Sequence, residues 1–237
     1  MKLLVVGSCT GEKDIRDCPY RLTEADFDDA AVLRRRESEL AKWALPAARL
    51  YTGWQHRYMM NGIDALRSTL VSLSCSVKII SAGYGLVDER QFIIPYEVTF
   101  QGQSSKRIRE RAERLGIPKA VRAAIQGYEC VMFLLGNEYL LSISLPLSST
   151  PNQRFVFFTS KTRLPFDPSS TVVPAGRAET RFGAGIVALK GKMFEHFAIG
   201  LCRRPETWNS VCSDETPSTV LKLIETGQRE SWTARTT

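Results

Sequence analysis

The chain has 237 residues, 43% hydrophobic and 24% charged, which fits one large domain with a full core, or one domain with an appended piece. No apolar run reaches the ~18 residues that a bilayer span needs, and "LLVVG" after Met1-Lys2 is too short for a secretory leader, so a cytoplasmic protein is expected. The formal net charge of +7 concentrates in residues 104–122, with smaller shares at 34–36 and in the C-terminal third; a basic folded surface points to a polyanionic partner such as nucleic acid, although Glu110 and Glu113 among the arginines also suit a solvated helix face.

In chain order, residues 2–7 read as a buried strand that breaks at Gly7. Residues 23–51 read as helix, with Thr23 as N-cap and Pro46 interrupting the pattern. Residues 54–73 form an amphipathic helix with Met59, Ile63, Leu66 and Leu70 on one stripe. "SVKIISAGYGLVDE" (76–89) is the second strand, and 92–102 is extended or looped because Pro95 rules out a central strand. A basic helix is expected over 104–126, a third strand over 129–140 and a fourth over 151–165, followed by a glycine-punctuated loop and a helix over 173–202. Residues 203–237 read as a polar C-terminal extension of a 1–202 domain, with a short helix at 217–226.

Strands that are continuous apolar runs are buried on both faces, which predicts a three-layer α/β/α fold around a mostly parallel four-stranded sheet. In such sheets ligands bind beyond the carboxyl ends of the strands. Those ends are Gly7-Ser8-Cys9-Thr10, Ser81-Ala82-Gly83-Tyr84-Gly85, Gly136-Asn137 and Thr159-Ser160-Lys161. All four are small or polar, so they predict one cleft that backbone can approach closely.

The cleft's chemistry is less constrained. "GSCTGEK" lacks the spacing of a Walker loop, yet Ser8, Cys9 and Thr10 with Lys13 nearby suit a base or phosphate, or an ordinary βα turn. Gln55 and His56 in "YTGWQH" are polar groups at a helix start; His56 serves as a base or donor, or as a half-buried structural histidine. Asp88 and Glu97 are carboxylates able to stabilise an oxocarbenium-like state or activate water, or to cap turns. Ser81, Gly83, Tyr84, Tyr96 and Asn137 are expected to line a base or sugar site. Lys106, Arg107, Lys161, Arg163, Arg177, Arg181 and Lys190 are the expected phosphate contacts. None of the six cysteines forms a C-x-x-C pair, and neither a metal site nor a cofactor is expected.

Taken together, "GSCTGEK", "PAARLYTGWQH", "ISAGYGLV…IIPYEVTF", "LLGNEYL" and "ALKGKMF" resemble a bacterial and phage family related to the uracil-DNA-glycosylase-like folds, including the corresponding domain of archaeosine-synthase-type proteins. The resemblance spans residues 1–200 and implies a uracil-DNA-glycosylase-like sheet. It also implies an anti-phage DNA glycosylase that excises a hypermodified base, such as glucosylated hydroxymethylcytosine, and leaves abasic sites. The usual Asp-Pro after the first strand is missing, with Glu12 and Asp14 nearby, and Thr159-Ser160-Lys161 stands where His-Pro-Ser follows the last strand. The uracil mechanism therefore does not carry over, and Asp88 or Glu97 is expected to act with His56 or Lys13. An amine attack by Lys13 would also nick the strand; the sequence shows no desolvating environment for it, so simple hydrolysis is expected. Two alternatives stand beside this reading: a base-exchanging transglycosylase on tRNA or DNA, and a non-catalytic nucleic-acid binder.

Overall fold

The computed structural model describes residues 1–15, 18–161 and 163–233. Its strands are β1 (Lys2–Ser8), β2 (Leu45–Pro46), β3 (Ser74–Ser81), β4 (Gly85–Asp88), β5 (Phe92–Ile93), β6 (Cys130–Leu134), β7 (Arg154–Thr159) and β8 (Thr171–Pro174). Its helices are α1 (Glu24–Asp28), α2 (Ala30–Glu39), α3 (Ala47–Leu50), α4 (Trp54–Thr69), α5 (Ser105–Arg114), α6 (Ile117–Ala124), α7 (Asn137–Ser142), α8 (Leu189–Arg203), α9 (Trp208–Ser213) and α10 (Ser218–Thr233).

Six strands form the central sheet in the order β4-β3-β1-β6-β7-β8, while β2 and β5 pair separately. Every neighbouring pair in the sheet is parallel except β3 with β4. The fold is thus α/β with a mostly parallel sheet flanked by helices. Leu3 to Val6 of β1 and all of β6 are buried without alternation, so both faces of the sheet are covered.

The sheet has six strands where four were expected. "SVKIISAGYGLVDE" is a hairpin: the chain turns at 82–84, Gly85 adopts φ +77°, and β4 runs back along β3. Only a residue without Cβ takes that conformation at low cost. The second addition, β8, is four residues ending in Pro174 at the sheet edge, where the missing N–H is tolerated.

The helical segments differ in similar ways. Thr23 does cap α1, but Asp29 starts a second helix by accepting hydrogen bonds from Ala31 N and Val32 N at 2.7 and 3.2 Å. The basic helix breaks at Gly116, with φ +63°, into α5 and α6. "GNEYL" opens α7 rather than prolonging a strand. The described C-terminal residues pack onto α8 through α10. Val220, Leu223 and Ile224 of α10 are buried, and a Cβ at Gly200 of α8 would lie 2.1 Å from the Leu223 carbonyl oxygen. Residues 234–237 of the expected extension lie outside the described residues. Among the described residues no helix is long and apolar enough to cross a membrane, and no cluster of side chains could hold a metal ion.

Candidate functional site

Because β1, β3, β6, β7 and β8 are mutually parallel, their carboxyl ends share one edge of the sheet. Helices start there as well. Gln55, in the first turn of α4, donates through Nε2 to the Leu134 carbonyl at the end of β6, at 3.0 Å. Gly191, in the first turn of α8, passes so close to Gln55 that a Cβ would stand 2.1 Å from its carbonyl oxygen. Gly136 and Gly53 precede α7 and α4 with no side chain capping either helix. The edge is therefore bordered by first-turn backbone N–H groups that have no partner within their own helix. Gly53 also lies against Thr10, whose Oγ1 accepts from Gly53 N at 3.3 Å.

Beneath this edge lies a floor of neutral polar groups. Ser81 Oγ donates to Tyr96 Oη at 2.7 Å, and Tyr96 Oη lies 2.8 Å from Tyr51 Oη. Ser81 Oγ also accepts from Gly83 N and Tyr84 N, which shapes the turn after β3. Cys9 Sγ lies 2.9 Å from Tyr139 Oη. Burial pushes the phenols of Tyr51, Tyr84, Tyr96 and Tyr139 up, so all four remain protonated near neutral pH. His56 belongs to the same neutral layer. Its Nε2 lies 2.9 Å from the Ala48 carbonyl, which can only accept, so Nε2 carries the proton and the buried Nδ1 holds a lone pair with no partner. Burial lowers its pKa. Ser8 is buried at the end of β1, whereas Asn137 is exposed at the start of α7.

One expected carboxylate, Asp88, does not reach this edge. Asp88 follows β4 back along the sheet, opposite Lys78, and its Oδ2 accepts from Lys78 Nζ at 2.9 Å. Its Oδ1 accepts from Arg90 N, so it caps the next turn. Glu97 is exposed and paired with Arg21. Glu89, beside Asp88, is held by Arg67. Asp88 is expected just past the strand end at 81–85, but the turn at 82–84 opens a further strand, β4, that carries it back along β3.

A carboxylate not singled out from the sequence does stand at the edge. Glu138 is in the first turn of α7, and it draws Lys190 of α8 toward its charged form while burial lowers the Lys190 pKa. Its signal was its place two residues after the strand-terminal Gly136. Trp54, 58% exposed in the first turn of α4, was also passed over and offers a stacking face beside Thr10 and Gly53.

The expected phosphate contacts divide. Lys106 faces Glu110 at 3.9 Å, Arg107 binds Glu24 at 2.9 Å, and Arg181 faces Glu225 at 3.6 Å and covers the Phe182 ring. Lys161, Arg163 and Arg177 follow β7 and β8, are exposed, and have no carboxylate partner among the described residues. Lys13 is half-buried with Nζ 4.5 Å from the centre of the Tyr96 ring.

A cavity of about 620 Å³ lies at the opposite edge, between Glu129, Arg154, Trp208 and Cys212. Its charged groups are already engaged: Arg154 donates to the carbonyls of Ser169, Cys212 and Ser213, and Glu129 accepts from Lys2 N and Trp208 Nε1. A smaller concavity of about 150 Å³, bordered by Asp14, Arg49 and Pro95, lies beside Lys13 and Tyr96 in the chain. No family model matches the chain, and no curated protein matches it either.

Proposed function

We propose that the protein is a DNA glycosylase of uracil-DNA-glycosylase-like architecture. It turns a modified nucleotide out of duplex DNA onto the strand-end edge and hydrolyses its N-glycosidic bond, leaving an abasic site. The observation that carries this reading is the meeting, at one edge, of three features: a neutral hydroxyl-lined floor, the carboxylate of Glu138, and the cations Lys161, Arg163 and Arg177, which have no carboxylate partner among the described residues. Flipping a base costs a few kcal/mol, which phosphate contacts offset. The glycosidic bond breaks through an oxocarbenium-like state, and a carboxylate beside it stabilises the cation or activates water. Small residues at the strand ends and an open, polar edge suit a base enlarged by a sugar, such as the glucosylated hydroxymethylcytosine of phage DNA. Antiviral defence is the biological role this substrate implies.

The test uses phage DNA carrying glucosylated hydroxymethylcytosine and the same genome carrying cytosine. Aldehyde-reactive abasic sites and released base are expected on the first DNA alone. Glu138→Gln is expected to lower base release by about 100-fold or more while DNA binding persists. Binding to both DNAs with no abasic sites on either would leave a nucleic-acid binder and overturn the glycosylase.

A further inference from the structure

We propose that Lys13 is an amine nucleophile, which makes the protein a strand-nicking lyase as well as a base-releasing hydrolase. The inference rests on the glycosylase reading and extends it to the sugar left behind.

Two lysines at the strand-end edge are partly desolvated, Lys13 and Lys190, and burial lowers the pKa of both. They differ in what faces them. Lys190 has the carboxylate of Glu138, which favours its ammonium form. Lys13 has the face of the Tyr96 ring, 4.5 Å from Nζ, and makes no ion pair among the described residues. The other ionisable groups acting on it are Cys9, whose thiolate would favour the ammonium, and Arg21, whose charge opposes it. The Tyr96 ring face also favours the ammonium and Arg21 is itself paired with Glu97, so burial, with no carboxylate paired to Nζ among the described residues, is what favours the free amine that a nucleophile needs. Lys13 also lies where a sugar would rest. It follows β1 by five positions and covers Tyr96, whose hydroxyl is bound to Ser81 at the end of β3.

The chemistry balances without an oxidant or reductant. After base loss the deoxyribose opens to an aldehyde at C1′. The Nζ lone pair adds to that carbon, and both amine protons leave with the aldehyde oxygen as water, giving an imine. The imine takes a proton from solvent. Loss of a C2′ proton to water then forms the C2′–C3′ double bond, and the C3′–O bond breaks with its electron pair leaving on the 3′ phosphate. Hydrolysis of the imine frees Lys13.

The experiment uses the full chain and a duplex with a preformed abasic site, so it does not depend on which base is excised. Cyanoborohydride reduction is expected to give a covalent protein–DNA adduct whose tryptic peptide carries the sugar on Lys13. Lys13→Gln and Lys13→Arg are expected to lose that adduct, while Lys222→Gln, at an exposed position of α10, retains it. No adduct from the wild type, or an adduct that persists in Lys13→Gln, would overturn the proposal. The glycosylase reading is scored separately, by base release from glucosylated DNA. An adduct at Lys13 without base release supports the amine and overturns the base assignment. Base release without an adduct overturns the amine alone.

Discussion

Helix α5 and the strand-end edge are both rich in cations, but their charges are used in opposite ways. On α5, Arg107, Arg111 and Arg114 reach across to α1. Arg107 Nη2 and Arg111 Nη1 bind Glu24 at 2.9 and 3.0 Å, and Arg114 Nη1 binds Asp28 at 3.0 Å. Arg111 is buried, and its Nε donates to the Ala82 carbonyl at 2.6 Å. This basic helix is a clamp that holds α1 over the turn after β3. At the strand-end edge, Lys161, Arg163 and Arg177 have no such partners among the described residues. Charge density along the sequence is greatest where charge is already neutralised in space, and a polyanion would be drawn to the sparser set.

Removing one side chain of the clamp separates the two regions most strongly. Arg111→Met keeps the volume but strips the Ala82 carbonyl and Glu24 of a donor. Breaking a buried pair costs ~3–5 kcal/mol, but Glu24 is partly exposed and keeps Arg107, so about 2 kcal/mol is expected. Urea unfolding reads this as a lower midpoint at unchanged slope. DNA affinity of the folded variant is expected to stay the same; a fall in affinity would place α5 in the interface.

The edge cations make the converse case. Each phosphate contact contributes about 0.9 to the slope of log K against log salt, so Lys161→Ala and Arg177→Ala should each reduce that slope by about 1. Lys106→Ala and Arg107→Ala should leave it unchanged. Equal losses from both sets, measured by titration over a range of salt concentrations, would erase the distinction between paired and unpaired charge.

The floor beneath those cations is expected to resist charging. Burial disfavours the charged imidazolium of His56 and lowers its pKa below the ordinary 6.5, and a proton on Nδ1 would find no acceptor among the described residues. Its unfolded form then binds more protons than its folded form between the depressed value and 6.5. The stability His56 contributes is therefore full above that pH and lost as pH falls below it. Unfolding midpoints should drop from pH 7.5 to 5.5, and drop less in His56→Asn. The lowered carboxylates Glu24 and Asp26 lose their contribution only at more acidic pH, outside this window.

How legible this was depends on whether a residue's role is local. Burial on both faces is written into consecutive apolar residues, so β1, β3, β6 and β7 and their shared edge were readable. The hairpin was not, because "IISAGYGLV" stays apolar through its turn and only Gly85's positive φ betrays the reversal. The α10 helix reads as polar because its buried stripe of Val220, Leu223 and Ile224 is narrow and the surface it packs on is α8, which it approaches closely at Gly200 and Gly227. The partners of Arg107 and Arg111 lie on α1, so no local pattern announces that these charges are spent. Glu138 carries no local signal as long as "GNEYL" reads as the tail of a strand, where alternate residues leave the edge; it lies in the first turn of a helix that stands on it.

The smallest effect belongs to the carboxylate that the linear reading favoured. Asp88 pairs with Lys78 at 2.9 Å with its side chain 45% exposed, and such pairs contribute about 0–1 kcal/mol. Asn at this position still accepts from Arg90 N, so most of the turn cap survives Asp88→Asn. About 0.5 kcal/mol of destabilisation is expected, with base release intact, because β4 carries residue 88 away from the strand ends where Glu138 stands. If Asp88→Asn abolished base release in a protein that still unfolds at nearly the wild-type midpoint, the reacting sugar would have to lie beside β4, and the strand-end edge would lose its claim to the chemistry.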